Sequence, residues 1–335
     1  MNYKLFAGID VSKLKTDVVF FLADHPDERT HGSFENSSEG FAKMTEWIHG
    51  LTGLPLSDML FCAENTGLYT LPICTFFDEK EGNLWVENAL RLNRSLGLKR
   101  GKSDRADAAE IANYAFIHRR RAILFKLPSK TMSRLKHLLS CRKQLVKHQT
   151  ALKNANGELE AFDADAAVFT LEIRKALIRE YDKKIGMVEA ELLKCVKEDG
   201  LLERQYRLVN SVYCIGPQTA MFIVVLTQGF SLFDDPRKFA CYCGIAPFPN
   251  TSGTTLKGRT KVSHLANKKI KALLTMCALN TIKIDNEFKR YYDRKIKEGK
   301  HHSAVLNVLR NKLVSRAFAA VNKDRPYSRE LLTAV

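Results

Sequence analysis

Two short apolar segments, each closed by a carboxylate, constrain the fold of this 335-residue chain more than any other feature. Leu5–Asp10 reads Leu-Phe-Ala-Gly-Ile-Asp, and Met59–Glu64 reads Met-Leu-Phe-Cys-Ala-Glu. Continuous apolar runs of this length are typical of strands that are buried on both faces of a sheet. An ionised carboxylate is costly to bury unless it is paired or bound to a cation, so acids at two such strand ends indicate a functional site.

The first third of the chain alternates strand and helix patterns in the order β-β-β-α-β-α-β-α, which predicts an α/β RNase H-like (RuvC-like) domain. In that fold the carboxyl ends of the central parallel strands meet at one edge of the sheet. The predicted strands are Leu5–Asp10, Asp17–Ala23, a segment near Thr30–Glu35, Met59–Ala63 and Asn83–Glu87, and the predicted helices run from Ser37 to about Gly50, over Thr66–Glu79 and over Ser103–Phe116.

Two further acids, Asp104 and Asp107, lie three residues apart at the start of the last of these helices. Residues at that spacing share one helix face, so both side chains can point toward Asp10 and Glu64. Carboxylate oxygens are the ligands that Mg²⁺ prefers. The four acids therefore predict a divalent-metal site for phosphoryl transfer on nucleic acid, although helix-dipole stabilisation alone can explain an acid such as Asp104.

The charge of +16 is concentrated in two regions. Residues 91–143 contain fifteen basic and three acidic residues, and residues 255–316 contain sixteen and four. Clustered positive charge favours a polyanionic partner, because phosphate contacts supply most of the non-specific affinity for nucleic acids. No apolar run is long enough to span a membrane, and the first residues read as a strand, so a cytoplasmic, nucleoid-associated protein is expected.

The remainder of the chain is predominantly helical. Leucine stripes before and after a break at Phe162–Ala167 predict two antiparallel helices that form a coiled-coil arm. Leu208–Ala220 resembles a helix-hairpin-helix element, with Pro217 in the first turn of its second helix. A polar segment, Asn250–Thr260, is predicted to be a loop, and its hydroxyl groups lie close in sequence to several cations. From the residues alone, Ser252 is one candidate nucleophile, with Thr254 and Thr255 as neighbouring hydroxyls.

Six segments together resemble the DEDD transposases of insertion-sequence family one-ten and the related Piv site-specific DNA invertases. They occur in the family's order over both ends of the chain, with the helical arm between them, and their combination is specific although each is short. They are Gly8-Ile-Asp-Val-Ser-Lys13, Glu64-Asn-Thr-Gly67, Lys102-Ser-Asp-Arg-Ala-Asp-Ala108, Ile215-Gly-Pro-Gln-Thr-Ala220, Tyr242-Cys-Gly-Ile-Ala-Pro247, and Ser252-Gly253 ahead of Gly258-Arg259.

This resemblance implies a RuvC-like DEDD domain over residues 1–125, a coiled-coil arm over 126–204, and a mainly α C-terminal transposase domain over 205–335 that carries the serine loop. It also implies a metal-binding tetrad of Asp10, Glu64, Asp104 and Asp107 for Mg²⁺ (or Mn²⁺). Ser252 corresponds to the nucleophile that forms a phosphoserine–DNA intermediate.

The partners implied by the resemblance are duplex DNA from donor and target, a structured guide (bridge) RNA, and further copies of the chain in a dimer or tetramer. In such oligomers the acids of one subunit work beside the serine of another. The basic residues near the two site regions are predicted to contact nucleic acid: Lys102, Arg105, Lys257, Arg259, Lys261, Lys268 and Lys269.

Three alternative functions compete with a transposase. A Piv-like invertase would use the same constellation of residues. A RuvC-like structure-specific nuclease would cut with metal-activated water and would need no serine. A non-catalytic nucleic-acid-binding protein with a decayed core is disfavoured because all four acids are present.

Overall fold

A computed structural model describes residues 3–95, 103–252 and 256–327, and it divides the chain into two compact units, Met1–Leu127 and Pro128–Val335. The first unit is a mixed α/β domain and the second is mainly helical, so the predicted fold class is confirmed at this level. The division into three domains stays a prediction. Within the described ranges, no helix is both long enough and apolar enough to cross a membrane.

The first unit is built around a five-stranded sheet with the strand order β3-β2-β1-β4-β5. Strands β1, β2 and β3 pair in antiparallel fashion, whereas β4 and β5 continue from β1 in parallel. The strands are β1 (Leu5–Val11), β2 (Lys15–Leu22), β3 (His25–Glu35), β4 (Met59–Glu64) and β5 (Leu84–Glu87), and the helices are α1 (Ser38–Thr52), α2 (Leu71–Glu79), α3 (Ala89–Ser95) and α4 (Asp104–His118).

This order of elements matches the sequence prediction except in two places. The short helix α3 was not predicted, and β3 begins five residues earlier than its predicted start near Thr30. Strand β3 is an edge strand with a largely exposed, polar sequence that includes Pro26. Edge strands tolerate proline and charged side chains, and they therefore lack the apolar pattern from which strands are predicted.

Side chains alternate between two cores on opposite faces of the sheet. Leu5, Ala7 and Ile9 face one core, which includes side chains of α1 and α2. Phe6 faces the other core, with Ile111 and other residues of α4. Because β1 is central and buried on both sides, the position of its last residues is fixed by packing from both faces.

The second unit begins with two long antiparallel helices, α5 (Lys130–Phe162) and α6 (Val168–Lys197). Their contacts are partly polar: Arg142 Nε lies 2.7 Å from Glu189 Oε1, and Gln149 Nε2 donates to Asp182 Oδ1 at 2.5 Å. The helices that follow share one core with the base of this pair. They are α7 (Gly200–Asn210), α8 (Pro217–Leu226), α9 (Pro236–Tyr242), α10 (Lys268–Thr281), α11 (Glu287–Lys297) and α12 (His302–Asn322).

The predicted loop over Asn250–Thr260 is wrong, because most of this segment forms a β-hairpin. Strands β6 (Pro247–Ser252) and β7 (Leu256–Val262) pair in antiparallel fashion, with Ser252 opposite Leu256. The hydroxyl and glycine content of this segment is typical of loops. Its β-branched threonines also favour strands, and pairing between the two arms decides the outcome.

Candidate active site

Four carboxylates lie side by side where neighbouring strands of the first unit approach one edge of the sheet. Asp10 on β1 is paired with Asp17 on β2, and Glu64 on β4 is paired with Glu87 on β5. Glu64 follows directly after the Ile9–Ala63 pair that joins β1 to β4. We call Asp17, Asp10, Glu64 and Glu87 the carboxylate row. By strand alternation the row faces the same side of the sheet as helix α4.

Helix α4 reaches the row because it packs directly on the backbone of β1. A methyl group placed on Gly8 would lie 2.1 Å from the Ala108 carbonyl oxygen and 2.2 Å from the Ala112 nitrogen, so only glycine permits this approach. Ser103 caps the helix by accepting a hydrogen bond from the Ala106 N–H at 3.2 Å. The cap and the close approach together place the first turn of α4 above Asp10.

The electrostatics of Asp10 show that the four predicted acids converge. Burial raises the pKa of Asp10 to about 6, and repulsion from Asp107, Asp104, Glu64 and Asp17 contributes to this rise in that order of importance. Each of these carboxylates therefore lies close enough to disfavour a charge on Asp10. A cation bound among these carboxylates would instead lower the pKa of Asp10.

Lys15 supplies a cation at one side of the site. Its Nζ lies 2.7 Å from Asp104 Oδ2 and 3.0 Å from Asp17 Oδ2, linking helix α4 to strand β2. The hydrogen bond to Asp104, followed by that to Asp17, raises the pKa of Lys15. His31 Nε2 lies 2.9 Å from the other oxygen of Asp17. The sequence alone singles out neither Asp17 nor Lys15 as part of the site.

The four predicted acids have the donor chemistry that Mg²⁺ requires. In the three ranges that the structure describes, no group of three or more His, Cys, Asp or Glu side chains stands ready to hold a metal ion. Asp104 is drawn to Lys15 on the side of β2. The high pKa of Asp10 is the observation that fits a divalent cation, since the crowded carboxylates disfavour further negative charge without one.

The contact with Lys15 leads to a measurable prediction. We expect Lys15→Gln to tighten the binding of Mn²⁺ by about threefold, because an exposed ion pair that competes for Asp104 is removed. Titration with Mn²⁺, followed by the EPR signal of the free ion, measures this affinity. Lys4→Gln is the matched control, because Lys4 pairs with Asp58 at the opposite end of β1. Weaker Mn²⁺ binding in Lys15→Gln would show that the ammonium supports the site.

Glu87 closes the other end of the row and is engaged by protein groups. It is buried, with Oε1 accepting from the Asn88 N–H at 2.7 Å and Oε2 accepting from the Tyr114 hydroxyl at 3.0 Å. Burial, and then the bond to Glu87, raises the pKa of Tyr114 to about 12, so its hydroxyl remains a donor. Although Glu87 ends a strand as Glu64 does, both of its oxygens accept hydrogen bonds from protein groups.

The second predicted half of the site lies in the other compact unit. The backbone of Ser252 ends strand β6, and residues 253–255 lie outside the described residues, as does Lys102. Among the predicted nucleic-acid contacts, Arg105 is exposed on α4, and Lys257, Arg259 and Lys261 belong to β7, where Lys261 is exposed. Lys268 and Lys269 begin α10. The roles of these residues stay predictions.

Comparison with known proteins places two segments of the chain, one beginning in the first compact unit and one within the second, in one family of transposases. Residues 7–158 match the DEDD transposase family of IS110 elements, and residues 206–293 match the family described as Transposase IS116/IS110/IS902 family. The chain belongs to the IS110 family of transposases. The resemblance inferred from the sequence is thereby confirmed, and this IS110-family protein is a DNA recombinase.

Individual relatives agree with this membership. The chain is 22% identical over 336 residues to the Pilin gene-inverting protein of Moraxella lacunata, covering 98% of this chain and 99% of the relative. It is 28% identical over 167 residues to a 42 kDa protein of insertion element IS900 from Mycobacterium paratuberculosis, covering 49% of this chain and 41% of the relative. It is also 26% identical over 128 residues to a 43.6 kDa protein of insertion element IS110 from Streptomyces coelicolor, covering 38% and 31%.

Proposed function

We propose that this IS110-family protein cleaves and rejoins duplex DNA to mobilise an insertion element, with Asp10, Glu64, Asp104 and Asp107 as its metal-binding tetrad. The observation that carries the proposal is that paired strands place Asp10 beside Glu64, while the close contact of α4 with Gly8 brings Asp104 and Asp107 to the same face of the sheet. The raised pKa of Asp10, to which the other three acids contribute by repulsion, agrees with this arrangement. A sheet edge with this concentration of negative charge would repel DNA phosphates unless a cation were bound. Bound Mg²⁺ (or Mn²⁺) would neutralise the phosphate and stabilise the leaving oxygen.

Ser252 is the proposed nucleophile. Its hydroxyl oxygen would lose its proton and bond to the phosphorus of one DNA strand as the bond to a deoxyribose oxygen breaks, and that oxygen would leave as a hydroxyl after taking up a proton. The resulting phosphoserine conserves the energy of the broken link for rejoining. The hairpin that carries Ser252 is basic on its second strand, where Lys257, Arg259 and Lys261 alternate with other residues. Positive charge at this place favours the approach of a phosphodiester.

The proposed partners are duplex DNA, a structured bridge RNA and further copies of the chain in a dimer or tetramer. Two separate regions, each with an excess of twelve positive charges, support a protein that holds more nucleic acid than a single short duplex. One region includes α4 and the start of α5, and the other extends from the serine hairpin through most of α12. Such a distribution suits simultaneous binding of RNA and DNA.

The nucleophile is tested by trapping the covalent intermediate. Denaturing electrophoresis after incubation with labelled element-end DNA and Mg²⁺ should reveal a protein–DNA adduct in the wild type and no adduct in Ser252→Ala. Thr255→Val is the matched control, because it removes a neighbouring hydroxyl and should retain the adduct. Full strand cleavage by Ser252→Ala would instead support a nuclease that uses metal-activated water.

A DNA invertase is the second candidate function. It is favoured by the relative named Pilin gene-inverting protein, which aligns with this chain over nearly the whole length of both proteins. An invertase and a transposase would use the same acids and serine and would differ in their products. Incubation with a plasmid that carries the element and its flanks distinguishes them, since inversion of the segment identifies an invertase and its excision or insertion identifies a transposase.

A further inference from the structure

Two half-buried cations in the second unit, Lys271 on α10 and Arg310 on α12, have no carboxylate partner in the described parts of the chain. Burial lowers the pKa of Lys271, and the charge of Arg310 lowers it further. Burial also lowers the pKa of Arg310, whose Nε is buried without a hydrogen-bond partner. Ile270 and Leu309, the residues that precede the two cations, are buried in one core, so the cations lie on helices that pack together. Two like charges that are both partly desolvated in this way are unfavourable unless an anion joins them.

Arg316 on the same helix shows how this unit stabilises a half-buried arginine for structural purposes. Its guanidinium contacts Glu287 and lies 4.2 Å from the ring centroid of Phe288. Arg310 has neither a carboxylate nor an aromatic ring among its described contacts. Its one hydrogen bond is donated by Nη1 to Asn307 Oδ1 at 3.3 Å. The guanidinium of Arg310 thus retains unused donors.

Arg310 is connected to the base of the hairpin that carries Ser252. Asn307 and Asn311 donate from their Nδ2 atoms to the Ile245 carbonyl at 2.8 and 2.9 Å, and Asn307 also accepts from Arg310. Gly244, with φ +65°, packs against Ala266 just before α10 begins. The turn that leads into β6 is therefore held between the two helices that carry the cations.

We propose that Lys271 and Arg310 together bind one phosphate of the DNA backbone and thereby position the DNA along the serine hairpin. The choice of DNA rests on the proposed function of Ser252. A guanidinium whose Nη groups make a single hydrogen bond among the described residues, together with an ammonium that has no carboxylate partner there, is well suited to a phosphate, which would accept from both side chains and remove the repulsion within the pair.

The length of the hairpin separates this phosphate from the reacting one. Strand β6 is six residues long, so its ends lie about 17 Å apart at the usual rise of a strand. That distance corresponds to about five base steps of duplex DNA. Lys271 and Arg310 are therefore positioning residues that hold the DNA at a distance from the bond that breaks.

Salt dependence of DNA binding tests the proposal without requiring cleavage. In a Ser252→Ala background with EDTA, we expect Lys271→Met and Arg310→Met each to weaken binding to a duplex of about 30 base pairs by about eightfold at 0.1 M salt, and to reduce the log–log salt slope by about 0.9. Because both cations bind one phosphate, the double variant should lose little more than either single variant. Lys323→Met, at an exposed position just after α12 and outside both basic regions, is the control and should change neither quantity.

Two further variants distinguish phosphate binding from a merely structural role. If the pair binds a phosphate, Lys271→Arg should keep the salt slope of the parent protein. Lys271→Met should leave the thermal midpoint of the DNA-free protein unchanged or higher, because it removes a desolvated charge. An unchanged salt slope in both methionine variants overturns the proposal, whether or not the midpoint falls. The proposal is also overturned if the methionine variants reduce the salt slope for an RNA hairpin of about 30 nucleotides but not for duplex DNA. Since neither cleavage nor metal is involved, these outcomes do not depend on the identity of the nucleophile.

Discussion

Asp10→Asn is expected to reduce DNA strand cleavage by at least about a thousandfold, because it removes the central carboxylate of the tetrad and with it the fixed metal ligand on β1. Cleavage of labelled element-end DNA in the presence of Mg²⁺ measures the loss. Asp24→Asn is the control, since Asp24 is an exposed acid in the turn between β2 and β3. Substantial cleavage by Asp10→Asn would remove Asp10 from the catalytic site.

The same substitution should stabilise the metal-free protein. The pKa of Asp10 in the folded state is about 6 and its ordinary value is 3.8, so the folded protein binds the proton more tightly than the unfolded chain. The stabilisation of the folded state by this proton is fully present below about pH 4 and is lost as the pH rises through about 6. At pH 7 the Asp10→Asn variant avoids the loss, and we expect its free energy of unfolding to exceed that of the wild type by about 1 kcal/mol after allowance for partial exposure.

Urea unfolding in EDTA, followed by tryptophan fluorescence, can measure this difference, because both tryptophans of the chain, Trp47 and Trp85, lie in the first unit. The wild type and Asp10→Asn should have similar midpoints near pH 4 and should diverge as the pH rises to 7. Mg²⁺ should restore stability to the wild type alone. Equal midpoints for the two proteins at pH 7 would mean that burial and repulsion among the carboxylates do not destabilise the folded state.

Gly8→Ala is expected to abolish cleavage without altering any charged residue. The added methyl group would overlap the backbone of α4 at Ala108 and Ala112, so the helix must move away from β1 and carry Asp104 and Asp107 with it. Overpacking at such a contact destabilises a domain by about 3 kcal/mol. Because a displacement of about 1 Å can cost a hundredfold in rate, we expect cleavage to fall by at least that factor.

Gly50→Ala provides a matched control on the same unit. Gly50 lies in α1 with no atom near the position of an added methyl group, and alanine favours a helix more than glycine does. This variant should retain cleavage and unfold at slightly higher urea concentration. If Gly8→Ala were as active as Gly50→Ala, the close approach of α4 to β1 would not be needed for the site.

The positions of the four acids could be predicted because each depends on local sequence. Apolar runs place Asp10 and Glu64 at strand ends, and Ser103 marks the start of a helix whose first turns contain Asp104 and Asp107. Two central strands that run in parallel then bring their ends together. This part of the site follows from periodicity, capping and fold class.

The contacts of Lys15 and Glu87 could not be predicted in this way. Lys15 meets Asp104 only because α4 lies on Gly8, a contact between segments about a hundred residues apart in sequence. Glu87 ends its strand as Glu64 does, and only its burial and its hydrogen bonds from Asn88 and Tyr114 distinguish it from a candidate metal ligand. The serine hairpin was missed because strand pairing between its arms overrode a loop-like composition.

The paired helices α5 and α6 give the second unit a mechanical property. With 33 residues, α5 is about 50 Å long, so a rotation of about 5° at its base would move its far end by about 4 Å. Gln149 and Asn156 are buried polar residues along this helix, and Gln149 is bonded to Asp182 on the other. Sliding one helix along the other would break that bond, so the pair should swing as one stiff lever and convert small angular changes near the core into large displacements at the tip.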